Sequence, residues 1–211
     1  MMKTKIWIVL TLMVNLIISC QTVSKKAAKE KSDFQSITGG QWEAKAMIKS
    51  YDTGEASVVT LDVIAQKPQH MRMEVTTSLG IALASIAMKE NDIEYILPKQ
   101  KKFFHGSVSE KSMYSALKIK VDPRILSAAF FETSYPKWEC QADNGLISNC
   151  KTPEGVELKW QREEGINKRI SIISKSFEVQ VQIKKFAEKS DFAEELWNIK
   201  VPEDFKQYKL Q

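Results

Sequence analysis

The sequence lacks the short motifs that mark most enzymes, metal sites and nucleotide-binding proteins. It contains no glycine-rich phosphate loop, no closely spaced histidine pair and no serine nucleophile elbow. Its two histidines, His70 and His105, are far apart, and we expect both at the surface. Asp122 suits a helix cap and the pair Glu163-Glu164 suits a solvated turn, so none of them indicates a catalytic acid. We therefore predict no catalytic residue, no metal site and no cofactor.

Strong charge and a second long apolar run are also missing. The formal net charge is +5, and loss of Lys3 and Lys5 with an N-terminal leader would leave +3. This small excess is spread along the chain, which does not favour a nucleic-acid partner. Beyond the N-terminal region the nearest apolar run is residues 81–88, whereas a spanning helix needs about 20 residues. The rest of the chain is therefore not expected to cross a membrane.

The first twenty residues have the pattern of a bacterial export signal. Two lysines precede residues 6–18, which are apolar except for Thr11 and Asn15, and Ser19 precedes Cys20. The apolar run is too short to span a bilayer comfortably, but it suits a cleaved signal peptide. The four residues IISC that end at Cys20 resemble the lipobox of bacterial lipoproteins. This resemblance implies a signal peptide over residues 1–19 and a lipid anchor on Cys20; an ordinary signal peptide with an incidental cysteine is the alternative.

The other two cysteines flank a turn sequence. Asp143-Asn144-Gly145 is typical of a β-hairpin. A three-residue loop over residues 144–146 would place residue 143 opposite 147, and therefore Cys140 opposite Cys150. The spacing predicts a cross-strand disulfide between Cys140 and Cys150. A metal site or a catalytic thiol is not supported, because no histidine lies at ligand spacing from these cysteines.

Alternation of apolar and polar residues with a period of two predicts β-strands on both sides of a central region. The predicted strands are residues 42–48, 59–65, 71–76, 82–88, 93–97, 102–105, 138–142, 147–150, 156–160, 168–173 and 177–183. Short turns between them favour antiparallel neighbours. We therefore predict a mainly β (α+β) protein with about eleven strands in one sheet.

Two short helices are predicted between the two sets of strands. Ser109 caps residues 110–119, and Asp122-Pro123 precedes residues 124–131. The lysine-rich residues 20–37 are expected to be a lipidated N-terminus and flexible tether. Residues 38–211 are expected to be a single domain, with residues 192–205 returning to pack on it or to add an edge strand.

Apolar side chains on neighbouring strands are predicted to face the same side of this sheet. They are Met71, Met73, Val75, Leu83, Ile93, Tyr95 and Leu97. Methionine is flexible and polarizable and suits surfaces that accept variable apolar shapes. A sheet of this length tends to curl as its twist accumulates, and with helices over it would enclose an apolar hollow. The strands alone also fit an ordinary packed core.

Four segments of the first half carry a family resemblance. They are WEAKA at 42–46, RMEVTTSLG at 72–80, YILP at 95–98 and KKFFHG at 101–106. Over about residues 40–132 they resemble the LolA/LolB superfamily of periplasmic lipoprotein carriers and receptors. The resemblance implies a curved antiparallel half-barrel of about eleven strands, lidded by short helices and enclosing an apolar cavity. The lipid anchor implies the LolB-like branch.

The resemblance also implies roles for particular residues. Leu79, Gly80 and Ile81 would form a membrane-insertion loop, although Ser78 stands where the family has proline and a buried turn is the alternative for Leu79. The seven inward apolar residues would line the acyl-chain cavity. Gln21, in place of the aspartate that retains enterobacterial lipoproteins at the inner membrane, implies the periplasmic face of the outer membrane.

The implied function is that of a lipid-anchored receptor without enzymatic activity. It would bind the acyl chains of lipoproteins, or lipid, and deliver them to the outer membrane. A soluble LolA-like carrier is a candidate partner, and we expect a monomer. The alternative is an envelope lipoprotein of structural or assembly function that binds a protein partner with the same fold; an envelope hydrolase has no support from any motif.

Overall fold

The computed structural model describes residues 34–114, 121–162 and 167–210. In these ranges the chain forms twelve strands and one α-helix, together with short 3-10 turns at Pro98–Gln100 and Glu194–Trp197. The strands are β1 (Gly39–Ser50), β2 (Ala56–Gln66), β3 (His70–Thr77), β4 (Ala82–Lys89), β5 (Asp92–Leu97), β6 (Lys102–Ser107), β7 (Glu139–Asp143), β8 (Leu146–Lys151), β9 (Glu157–Arg162), β10 (Lys168–Ile173), β11 (Phe177–Glu188) and β12 (Lys206–Lys209). The helix, α1, is Arg124–Phe131.

All twelve strands belong to one open, curved sheet. Their order is β12-β6-β5-β4-β3-β2-β1-β11-β10-β9-β8-β7. Two meanders, β1 to β6 and β7 to β11, join where β1 pairs antiparallel with β11. The predicted single mainly β sheet is confirmed. It has one more strand than expected, and it is not wholly antiparallel, because β12 runs parallel to β6.

Three irregularities in strand pairing accompany the curvature. Register shifts occur at Glu43/Ala44 in the β1–β11 pair, at Val75/Thr76 in the β3–β4 pair and at Gln141/Ala142 in the β7–β8 pair. Bulges of this kind bend a strand and increase its local twist. They help the sheet to curl around the apolar side chains of its inner face.

Helix α1 covers part of this inner face. Its start is capped as predicted, since the Asp122 carboxylate accepts a hydrogen bond from the Arg124 backbone N–H at 2.9 Å. Trp42 on β1 is fully buried against the helix, with its ring 5.4 Å from that of Phe131. The Trp160 indole N–H donates to the Ala129 carbonyl at 2.8 Å. Half of the other predicted helix, residues 115–119, lies outside the described residues; residues 110–113 form a turn and Tyr114 is helical.

Residues 192–205 pack on the sheet, which is one of the two alternatives expected for them, and the edge strand follows at residues 206–209. Trp197 is buried, and Ile199 packs with Ala87 and Phe103 on the outer face of the sheet. The Arg72 guanidinium donates to the Asn198 carbonyl at 2.9 Å. The chain then adds β12 at the sheet edge.

The N-terminal boundary of the packed chain differs from the expected one. Phe34 and Ile37 are buried in the core, 1% and 7% exposed, although we expected the domain to begin at residue 38. The Phe34 ring centre lies 4.6 Å from that of Phe186. Packing therefore extends at least to Phe34. The expected signal peptide and Cys20 lie outside the described residues.

The hairpin of β7 and β8 carries the disulfide between Cys140 and Cys150. The two cysteines are opposite each other, as predicted, but the expected three-residue loop is wrong. A two-residue turn places Asp143 opposite Leu146, and Asn144 and Gly145 both have positive φ, as this tight turn requires. The bulge at Gln141/Ala142 then shifts the register by one residue and brings the cysteines together.

No helix in the described ranges is both long and apolar enough to cross a membrane.

Candidate apolar binding cavity

A cavity of about 390 Å³ lies between the inner face of the sheet and helix α1. The sheet contributes side chains from β1 to β5, β10 and β11, and the cover contributes Met113, Val121 and residues of α1. Among the described residues that line it, Ser57 is the single polar one. The volume lies within the usual range of small-molecule sites, about 300–1,000 Å³. The site can therefore hold an apolar ligand and offers it almost no polar partner.

The cavity opens at one end of the sheet. Among the lining residues that belong to the sheet, those with the greatest exposure are Ile48, Ser57, Val75, Leu83 and Val179, which we call the mouth. They lie next to the turns at residues 51–55, 78–81 and 174–176. These turns share one end of the sheet, because Ser50 on β1 lies opposite Phe177 on β11 and Val59 on β2 lies opposite Thr77 on β3. The Tyr51 N–H donates to the Ser176 carbonyl at 2.8 Å and joins two of these turns.

Four of the seven residues predicted for the cavity wall are found there. Met73, Val75, Leu83 and Leu97 line the cavity. The other three, Met71, Ile93 and Tyr95, face inward as predicted but lie in the core at 2% exposure or less, away from the cavity. Alternation along a strand sets the face of each side chain, but not how far along that face the filled core extends. Whether any of the seven contacts an acyl chain stays a prediction.

Tyr95 has a structural hydrogen bond. Its hydroxyl donates to the Ser112 carbonyl at 2.9 Å, and its ring stacks on Phe104 with centres 4.8 Å apart. Burial raises the pKa of the Tyr95 phenol to about 12. This hydrogen bond connects Ser112 to β5. It thereby holds the segment before Met113, a residue of the cavity lining, against the sheet.

The loop between β3 and β4 presents its apolar side chains to solvent. Leu79 is 86% exposed and Ile81 is 62% exposed, which excludes the buried turn considered for Leu79. The Thr77 side-chain oxygen accepts hydrogen bonds from the N–H groups of Leu79 and Ile81, at 3.3 and 3.1 Å. Gly80 has φ +79°, a conformation that favours glycine. The backbone thus holds a tight turn at the mouth end, with Leu79 and Ile81 facing water.

Polar groups lie beside the mouth at the turn of residues 51–55. The Tyr51 hydroxyl donates to the Glu178 carboxylate at 2.9 Å, and the Lys49 ammonium lies 5.5 Å from the Tyr51 ring centre. Hydrogen bonds from Gln180 and Tyr51 hold the pKa of Glu178 below its usual value. Lys49 and Glu178 alternate along their strands with the lining residues Ile48 and Val179, so these charges lie outside the apolar lining.

A buried ion cluster holds the C-terminal end of α1. The sequence analysis did not predict this cluster. Glu132 is fully buried and accepts hydrogen bonds from Arg162 and Lys168, each at 2.5 Å. Arg162 also donates to the Ile147 carbonyl at 2.7 Å. The available signal was Lys168 at an inward position of β10, in alternation with Ile170.

The predicted surface histidines are half-buried instead. The His70 ring lies 5.3 Å from the Trp197 ring, and the His105 ring lies 5.5 Å from the Phe103 ring. Across the described ranges, no three His, Cys, Asp or Glu side chains converge to hold a metal. Glu163-Glu164 lies outside the described residues.

No model of a known protein family matches the sequence, and no curated protein matches it. Solved structures do share the fold. A crystal structure of a LolA superfamily protein from Nitrosomonas europaea is similar, with TM-score 0.50 and 9% identity, over 81% of this chain and 96% of that one. A crystal structure of a DUF1329 family protein from Desulfovibrio piger has TM-score 0.51 and 7% identity, over 78% of this chain and 91% of that one. At these identities the likeness shows the fold alone, which is the fold that the sequence resemblance implied.

Proposed function

We propose that this protein is a lipid-anchored receptor that binds acyl chains in its cavity and delivers lipoproteins, or lipid, to the bacterial outer membrane. The observation that carries the proposal is the position of the apolar cavity beside an exposed apolar loop. Leu79 and Ile81 lie at the same end of the sheet as the cavity mouth. An acyl chain that leaves the cavity at this end would pass the exposed loop of Leu79 and Ile81, the part of the surface best suited to enter a bilayer.

The energetics of such a transfer are simple. Each methylene moved from water into an apolar site contributes about 0.8 kcal/mol, whether that site is the cavity or the membrane. Exchange between the two is therefore nearly balanced and requires neither an energy source nor a catalytic residue. The lining has no charged side chain among the described residues, so an acyl chain would meet no desolvation penalty from a buried charge.

The anchor belongs to the same proposal. Lipid on Cys20, joined to the packed domain by residues 21–33, would hold the mouth near the membrane that receives the acyl chain. Stable anchoring takes more than one acyl group, and a lipoprotein cysteine carries several. Gln21 after that cysteine favours the outer membrane and its periplasmic face.

Intact mass spectrometry of the protein from bacterial envelopes tests the anchor. It should find a polypeptide that begins at Cys20 and carries acyl groups. A polypeptide that retains residues 1–19 without lipid would contradict the anchor.

A transfer assay tests the receptor function. The full chain in vesicles is offered a fluorescent triacylated peptide held in solution by cyclodextrin, and its arrival in the bilayer is followed by energy transfer. We expect faster transfer than into protein-free vesicles, abolished by Leu79→Glu. The matched control is Leu196→Glu, which alters an exposed leucine on the outer face and should leave transfer unchanged.

Two results would count against the proposal. Transfer no faster than into protein-free vesicles would reject the receptor and favour a structural or assembly lipoprotein with the same fold. Full activity of Leu79→Glu would reject the role of the loop alone.

A further inference from the structure

We infer that the cavity encloses one acyl chain at a time, so that the other chains of a multi-chain ligand stay outside, against the loop of Leu79 and Ile81. This inference rests on the proposed function and narrows its ligand to a single inserted chain with an exposed head. It distinguishes two apolar sites. The enclosed site lies between the sheet and the helix, and the open site lies at the β3–β4 turn.

The first argument is volume. If a methylene is given the share of liquid volume that a water molecule has, roughly 30 Å³, the cavity of about 390 Å³ holds about 13 methylenes. This is most of one long acyl chain. The three chains of a triacylated anchor would need about three times that space.

The second argument is that the walls resist expansion. Widening the part of the cavity that lies under α1 would require this helix to move away from the sheet. Its C-terminal end is held by the Glu132 carboxylate, which is fully buried and bonded to Lys168 and Arg162. Its C-terminal half is also held by the Trp160 indole, which donates to the Ala129 carbonyl at 2.8 Å. Movement of the helix would leave these buried polar groups without partners, which is unfavourable.

The third argument is the orientation of the ligand. The deep wall is formed by residues such as Leu61, Ile125 and Ala129, which are 6% exposed or less. Ser57, the single polar lining residue in the described chain, is an exposed residue of the mouth. An ionised or ester head group therefore finds its hydration at the mouth, and the chain enters tail first.

Ligands with one acyl chain and ligands with several acyl chains should differ in how their affinity depends on the open site. A fatty acid uses the cavity alone, so its affinity should not depend on Leu79. A tripalmitoylated peptide inserts one chain and leaves two at the loop, so its affinity should fall when Leu79 becomes Glu. Each methylene withdrawn from an apolar contact corresponds to about a fourfold change in the binding constant. A loss of at least tenfold for the peptide is therefore expected.

Native mass spectrometry of the full chain, released from micelles, tests the capacity. The probes are saturated fatty acids of 8 to 18 carbons and the tripalmitoylated peptide. We expect one fatty acid per polypeptide, with affinity that rises with length to about 14 carbons and then levels off. Two or more fatty acids per polypeptide, or affinity that still rises steeply to 18 carbons, would overturn the single-chain inference while leaving the proposed function intact. No bound chain at any length would overturn both.

A matched pair of variants on β2 locates the enclosed site. Val59 lines the cavity at 4% exposure, whereas its neighbour Val58 points to the outer face at 60% exposure. Val59→Phe should weaken the 14-carbon acid roughly tenfold and shift the plateau to shorter chains, because the added ring displaces about two methylenes. Val58→Phe should bind like the unaltered protein. Equal effects of the two variants would overturn the assignment, and the length series on the unaltered chain remains decisive if Val59→Phe fails to fold.

Discussion

The Lys168 ammonium group lies 3.7 Å from the centre of the Phe34 ring and also donates a hydrogen bond to the Glu132 carboxylate. One buried cation thereby connects the first described residue of the chain with the end of helix α1. A second lysine makes a parallel connection, since the Lys67 ammonium donates to the Gln35 carbonyl at 2.7 Å and lies 5.1 Å from the Phe131 ring centre. The N-terminal segment and the helix that covers the cavity are thus held together.

Loss of the buried cation should be strongly destabilising. Lys168→Met leaves the fully buried Glu132 carboxylate with fewer partners, and breaking a buried pair in this way lowers the free energy of unfolding by about 3–5 kcal/mol. Lys185→Met removes a lysine that is 72% exposed and pairs with Glu43, so it should change stability by less than about 1 kcal/mol. Urea denaturation compares the two variants, and losses of equal size would show that the Lys168 cluster is not a stabilising feature.

Phe34 should behave as a core residue and not as part of a tether. Its ring packs against Trp42 and Phe186 at centre distances of 5.9 and 4.6 Å. Phe34→Ala is expected to lower the free energy of unfolding by about 3–5 kcal/mol. Leu79→Ala, at an 86% exposed position, should stay within about 0.5 kcal/mol. A Phe34→Ala variant as stable as the unaltered protein would place the start of the packed chain after residue 34.

Reduction of the disulfide should loosen one edge of the sheet without affecting the cavity. Cys140 and Cys150 close a short loop, with a sequence separation of 10, so reduction should lower stability by about 2–3 kcal/mol. β7, β8 and β9 contribute no side chain to the cavity lining. Hydrogen exchange should therefore rise in β7 and β8, with fatty-acid affinity unchanged. Loss of affinity on reduction would contradict the separation of the two regions.

Tyr95 should make stability depend on pH in alkaline solution. Burial raises its folded pKa to about 12, above the ordinary value near 10, so the folded state retains this proton more strongly than the unfolded state. The contribution is fully present below pH 10 and is lost as the pH rises towards 12, by about 2 kcal/mol in all. Tyr95→Phe should be less stable at pH 8, because the bond to the Ser112 carbonyl is absent, and should lose less stability between pH 10 and 12. Identical slopes for the two proteins would reject the shift.

Local patterns account for most of the elements that the sequence predicted. The alternation in β10 and the Asp122-Pro123 start of α1 gave the bounds of these two elements correctly. The start of β11 was also correct, but this strand continues to Glu188, five residues beyond the predicted end. The pairing of the two cysteines was also correct, although a two-residue turn and a bulge replaced the expected loop. The LolA-type fold followed from motifs in the first half of the chain. Each of these depends on residues close together in sequence.

Features that depend on residues far apart in the sequence could not be predicted from local patterns. The depth of the cavity depends on where residues 108–113 and α1 lie over the sheet, so Met71, Ile93 and Tyr95 could be assigned to the correct face but not to the correct place. The partners of Lys168 come from α1 and from Phe34, far away in sequence. A charged residue at an inward position of a strand was the one local sign of this cluster.

Photolabelling tests most directly whether acyl chains enter the cavity. The full chain in vesicles is irradiated with a palmitate that carries a diazirine near the end of its tail, and the labelled peptides are sequenced by mass spectrometry. We expect labels on the cavity side of β2, β3 and α1, at residues such as Val59, Met73 and Ile125, and competition by unlabelled palmitate. Labels confined to outward residues such as Val58, or labelling that palmitate does not compete away, would contradict the account.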